Sequence, residues 1–149
     1  MRILFVSAVL PYPLHSGGQI RIYNLLKQLT KRHEITLVSF IRDENEKTYK
    51  KNLSFCKDVC LVLRGRAWQP KYIIRSFLGQ YPLLLSTYDN RIMRQAISDL
   101  TRREQFDLIH LEPFYVWPSA SKTTLPIVVS EHNVEYEVYE QYVQQFRLP

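Results

Sequence analysis

Arg2-Ile-Leu-Phe-Val-Ser-Ala8 opens the chain, and Leu10-Pro-Tyr-Pro-Leu-His-Ser16 follows. Gly17-Gly18 then leads into a segment from Gln19 to Arg32, and Glu34-Ile-Thr-Leu-Val-Ser-Phe40 closes the stretch. The first and last runs are apolar almost throughout, as a strand must be when helices cover both faces of its sheet. Between them, Ile22, Leu25, Leu26 and Leu29 stand at i, i+3, i+4 and i+7, a single apolar stripe on a helix. Strand, helix, strand in that order predicts a parallel βαβ unit. The glycine pair sits at its first strand-to-helix junction. Uncovered backbone amides there, at the positive end of a helix dipole, form a natural cradle for an anion.

The same alternation continues downstream. Arg42 to Asn52 is dense in charge and reads as a loop entering a short exposed helix, and Asp58 to Leu63 as a third strand. Ser86 to Glu104 carries a helical pattern with Tyr88, Ile92, Met93, Ala96, Ile97 and Leu100 on one side. Phe106 to Leu111 and Leu125 to Ser130 read as strands four and five, and Val134 to Phe146 as the start of another helix. The fold class that follows is α/β: a doubly wound, Rossmann-like three-layer sandwich around a mainly parallel sheet. In such sheets ligands sit at the carboxyl ends of the strands. Pro11–Gly18, Glu112–Trp117 and Glu131–Glu135 fall at such ends.

Two common nucleotide sites are excluded. The dinucleotide fingerprint needs Gly-x-Gly-x-x-Gly directly after strand one and an acid closing strand two. Here Gly17 lies well beyond Ala8, no third glycine follows, and strand two closes on Phe40. Nor does Gly-Lys-Ser/Thr occur for a P-loop.

At 149 residues the chain has the length of one domain. No apolar run approaches the ~20 residues that span a bilayer. The N-terminal apolar run meets Pro11 and Pro13 and has no small-residue cleavage site, so it reads as a core strand and the protein as cytoplasmic. Cys56 and Cys60, with His33 and His110 remote in sequence, make no zinc set and read as free, largely buried thiols. The net charge of +6 is unevenly spread. Residues 1–80 hold 14 Lys and Arg against 5 Asp and Glu, and residues 81–149 hold 6 against 9. Such a basic half attracts phosphorylated ligands, nucleic acids or anionic membrane faces.

Trp68, Tyr72, Ile73, Ile74, Phe77 and Leu78 are interspersed with Lys71 and Arg75, and Pro82 ends any continuous helix there. The favoured reading is a helix half-buried against the sheet. An interfacial membrane contact ranks second and a nucleic-acid surface third. His132, which directly follows strand five, is the leading catalytic candidate, able to donate a hydrogen bond or act as a base. His110, inside a strand, reads as a core residue with a satisfied hydrogen bond. Glu112, Glu131 and Asn133 complete the strand-end set as residues of an acceptor-side cleft.

Taken together, these residues resemble the N-terminal domain of GT-B-fold glycosyltransferases, glycosyltransferase family 4 in particular. The resemblance rests on Arg2 to Ser7, Pro11-Tyr-Pro13, Gly17-Gly18 with Arg21 and Leu26, and His33 to Phe40. Phe106 to Glu112 and Pro126-Ile-Val-Val-Ser-Glu-His-Asn-Val-Glu135 extend it. It implies that residues 1–149 form the acceptor-side half of a transferase whose donor-binding domain is absent here. It further implies a retaining transfer of a hexosyl group from a nucleotide-sugar, with neither a bound metal nor a covalently bound cofactor required, and no nucleic-acid partner. Gly17 and Gly18 would line the donor phosphates, Arg21 would stand beside them, and His132 would reach the transferred sugar. A lipid-linked or polymeric acceptor at the inner membrane face would suit the basic half. The chain alone is expected to be inactive. Two other classes fit the residues: a non-catalytic saccharide- or anion-binding module, and half of a GT-B-fold sugar-nucleotide epimerase.

Overall fold

The computed structural model describes residues 1–64, 70–79, 81–120 and 123–131. Five strands, β1 (Arg2–Ser7), β2 (Glu34–Ile41), β3 (Asp58–Leu63), β4 (Leu108–Glu112) and β5 (Ile127–Val129), form one sheet. Their order is β3-β2-β1-β4-β5 and every pairing is parallel. Five helices connect them among the described residues: α1 (Gly17–Leu29), α2 (Pro70–Leu78), α3 (Leu83–Tyr88), α4 (Arg91–Arg103) and α5 (Trp117–Ala120). Two 3₁₀ segments, Glu44–Leu53 and Phe114–Val116, follow β2 and β4. The expected α/β, Rossmann-like sandwich is what the chain forms.

The period of two along β1 explains both layers. Ile3 and Phe5 pack with Ile22 and Leu26 of α1 and with Leu53 and Cys56, while Leu4 and Val6 pack with Met93 and Ile97 of α4. Both sets are buried, so β1 shows no polar alternation. Burying a side chain such as Phe5 or Leu26 contributes about 1.5–3 kcal/mol. Because α1 covers one face and α4 the other, the winding reverses between β1 and β4. That switch point is where a crevice opens at the carboxyl edge.

The sequence pattern over 86–104 is divided in two by the structure. α3 ends at Tyr88, and Asn90 caps α4, its Oδ1 accepting from the Ile92 and Met93 amides at 2.8 and 3.1 Å. A side chain that satisfies two amides outcompetes continuation of the helix. Ile92, expected on the apolar side, is 62% exposed, and Met93 and Ile97 carry the packing. α2 also departs from expectation. Only Tyr72 of its described side chains is buried, and the helix lies mainly against α3. The helix expected from Val134, together with Trp68, His132 and Asn133, lies outside the described residues. Among the described residues no helix is long and apolar enough to cross a membrane.

Candidate functional site

The loop after β1 delivers α1 with its first turn open. Ser16 is the N-cap, its Oγ accepting from the Gln19 amide at 3.3 Å. Gln19 Nε2 in turn donates to the Leu10 carbonyl at 3.0 Å, tying the helix start to the loop. Ser16 satisfies the third amide of the helix, so those of Gly17 and Gly18 have no partner in the helical ladder. No atom lies within 4 Å of where a Cβ on Gly17 would stand. The fold itself therefore makes no demand for glycine at position 17.

One turn on, Arg21 reaches across the switch point. Its guanidinium pairs with Glu112, at the end of β4, and donates to Ser130 Oγ at 3.0 Å, just past β5. Glu112 is 0% exposed. A buried carboxylate is tolerated only when paired and hydrogen-bonded, and it has a second partner. His110 Nε2 lies 3.1 Å from Glu112 Oε2 and donates to it, since an ionised carboxylate only accepts. The His110 ring stacks on Phe5 with centroids 4.5 Å apart, so it is the satisfied core histidine expected. Glu131 Oε1 accepts from the Phe114 amide at 2.6 Å, joining the loops that follow β5 and β4.

Gly17, Gly18, Arg21, Glu112 and Glu131 thus gather at the carboxyl edge, around β1, β4 and β5. His132 and Asn133 lie beyond the described residues. Glu112 and Glu131 are both engaged by neighbouring donors. The ion pair from Arg21 to Glu112 was not legible in the sequence. Residues 91 positions apart share no local pattern, and only the register of β1 beside β4 brings them together.

A second group was missed outright. On the other side of the α1 start, a cavity of about 310 Å³ opens at the carboxyl ends of β1, β2 and β3. His15, Gln19, Arg42, Asn45, Glu46 and Arg64 supply its polar wall. Arg64 stacks over the Tyr88 ring, its Cζ 4.4 Å from the centroid, and its Nη1 is buried with no hydrogen-bond partner. Mixed donors, acceptors and both charge signs suit a polyhydroxyl ligand. The available signal was position: Arg42 and Arg64 each follow the last residue of a strand. A wider hollow of about 710 Å³, around Thr101, Glu104 and Thr123, lies at the opposite, amino edge and is more open to solvent. Strand-end logic favours the smaller one.

Both cysteines are free. Burial pushes the Cys56 thiol up to about 12, and burial followed by the nearby Asp58 charge raises that of Cys60. Among the described residues, no three His, Cys, Asp or Glu side chains gather as a metal site.

The sequence profile of Glycosyltransferase Family 4 matches residues 15–149, from the glycine loop onward. The chain belongs to Glycosyltransferase Family 4. Its match spans α1, the Arg21 crossing and the strand-five segment. Family members are glycosyltransferases, so sugar-related substrates are implied for this one. No curated protein sequence matches it. Among solved structures, the C-terminal domain of a hydrogenase from Pyrococcus furiosus is similar, with a TM-score of 0.53 and 12% identity. That alignment covers 87% of this family 4 chain and 90% of the hydrogenase domain. At such identity the likeness concerns the fold alone.

Proposed function

We propose that this chain is the acceptor-side domain of a GT-B-fold transferase that moves a hexosyl group from a nucleotide-sugar to an acceptor, with retention. The family match over residues 15–149 carries the reading. The geometry adds a chemical reason. Sugar transfer leaves negative charge on the departing phosphate, and preorganised amides and cations stabilise such charge. Gly17 and Gly18 offer amides at a helix N-terminus, and Arg21, one turn further along α1, is held by Glu112 and Ser130. In this reading the donor phosphates face Gly17 and Gly18, with Arg21 beside them, and His132 contacts the donor sugar. The cavity lined by His15, Asn45, Glu46 and Arg64 receives the acceptor. Residues 1–149 act as one domain, and a second domain supplies the nucleotide contacts. The protein works in the cytoplasm with a sugar or lipid-linked acceptor, needing neither metal nor covalently bound cofactor.

The test is release of nucleoside diphosphate from a panel of nucleotide-sugars by the chain joined to its donor domain. Wild-type protein is expected to release it in the presence of acceptor, and His132→Ala to lose about 100-fold or more. Specific saccharide binding without release from any donor would favour the binding module. Isomerisation of the donor sugar without transfer would favour the epimerase.

A further inference from the structure

The aromatic stretch between β3 and α4 presents an apolar face that the sheet does not use. Ile73, Ile74, Phe77 and Leu78 stand at i, i+1, i+4 and i+5 on α2, which places them on one side of the helix. Phe77 is 86% and Leu78 85% exposed; Ile73, Ile74 and, on α3, Leu84 are exposed as well. Scattered exposed apolar residues are ordinary, but a contiguous face of this kind marks an interaction site.

The charge around it selects the partner. From Val59 to Tyr88 the sequence has no Asp or Glu, while Arg64, Arg66, Lys71 and Arg75 all fall within that window. An apolar helix face in an acid-free, basic segment is the combination that binds an anionic lipid surface: side chains enter the acyl boundary while cations meet headgroups. Position supports the same choice. Tyr88, the last residue of α3, lies under Arg64, just past β3, and its ring stacks on Tyr115, past β4, at 5.5 Å. Ser119 Oγ donates to the Tyr88 carbonyl at 2.9 Å. The α2–α3 pair is thereby fastened to the carboxyl edge of the sheet, where the cavity opens.

We propose that α2 is an interfacial docking element, which seats the carboxyl edge of the sheet on an anionic bilayer through Ile73, Ile74, Phe77 and Leu78. A lipid-borne acceptor then meets the cavity without leaving the membrane. That purpose rests on the transferase reading; the docking itself is measured without turnover.

The experiment is co-sedimentation of the chain with vesicles of phosphatidylcholine alone and with one quarter phosphatidylglycerol, at low and high salt. Wild-type protein is expected to partition onto the anionic vesicles and to be released by salt. Phe77→Ser/Leu78→Ser, whose side chains hold no core position, is expected to keep its circular dichroism and melting temperature while partitioning falls about tenfold or more. Lys71→Glu/Arg75→Glu is expected to lose the preference for anionic vesicles. Wild-type-like binding by the serine variant overturns the proposal. So does a wild-type chain that ignores vesicles and instead self-associates through α2, with the serine variant monomeric. Donor turnover together with absent vesicle binding would leave the transferase reading standing and remove this one alone.

Discussion

Arg21 and Glu112 show how a single pair can serve both fold and site. Glu112 is fully buried, and its charge is tolerable because Arg21 and His110 meet it from opposite oxygens. Arg21 remains partly exposed, so solvent screens part of the attraction. We expect Arg21→Met to destabilise the protein by about 1–3 kcal/mol, and Glu112→Gln to relieve most of that loss in the double variant. Urea unfolding of the four proteins in the cycle measures the coupling; additivity would mean that the pair contributes nothing. Cys56 makes a second residue-scale prediction. Its folded thiol is raised from 9.0 to about 12, so the neutral form is favoured in the native state. The resulting stability is complete below pH 9 and declines as pH rises towards 12, because the unfolded thiol releases its proton first. At pH 8 the buried native thiol stays protonated, and iodoacetamide should label Cys56 far more slowly in buffer than in guanidinium chloride. Equal rates would contradict the burial. At this scale the sequence was informative about identity but not about partners. Gly17 and Gly18 could be singled out from local context and Arg21 from the family resemblance, whereas the carboxylate that fixes Arg21 comes from a strand remote in sequence.

Elements were legible wherever their pattern was local. β1, α1, β2 and β3 follow directly from apolar periodicity, and their observed ends lie close to those expected. The pattern failed between Ser86 and Glu104, because apolar spacing is blind to a cap that interrupts it. Asn90 spends its carboxamide on two amides and starts a new helix. Asn90→Ala is expected to cost about 0.5–2 kcal/mol and to fray the first turn of α4. Thermal denaturation and amide exchange at Ile92 and Met93 report it, and unchanged protection there would remove the cap from the explanation. α2 failed for a different reason. An amphipathic pattern reveals that a face is apolar but not what covers it, and here the sheet does not.

At the scale of the whole molecule, the account turns on one crevice. Parallel strands in the order β3-β2-β1-β4-β5 bring α1, β4 and β5 to a common edge, and the glycine pair stands at its mouth. That order could be anticipated as a class from the alternation of strands and helices, since both faces of the sheet had to be covered. The cavity beside Arg64 could not, because its wall is assembled from loops whose sequences carry no shared motif. If the edge at Gly17 meets donor phosphates, a methyl group there intrudes on the ligand while sparing the protein, since the space in front of Gly17 is open. Gly17→Ala in the chain joined to the donor domain proposed for it is therefore the measurement that tests the central claim most directly. The account expects melting no lower than wild type, with kcat/KM for the nucleotide-sugar reduced about 10- to 100-fold. Unchanged kcat/KM in a stable variant would contradict it and place the donor elsewhere.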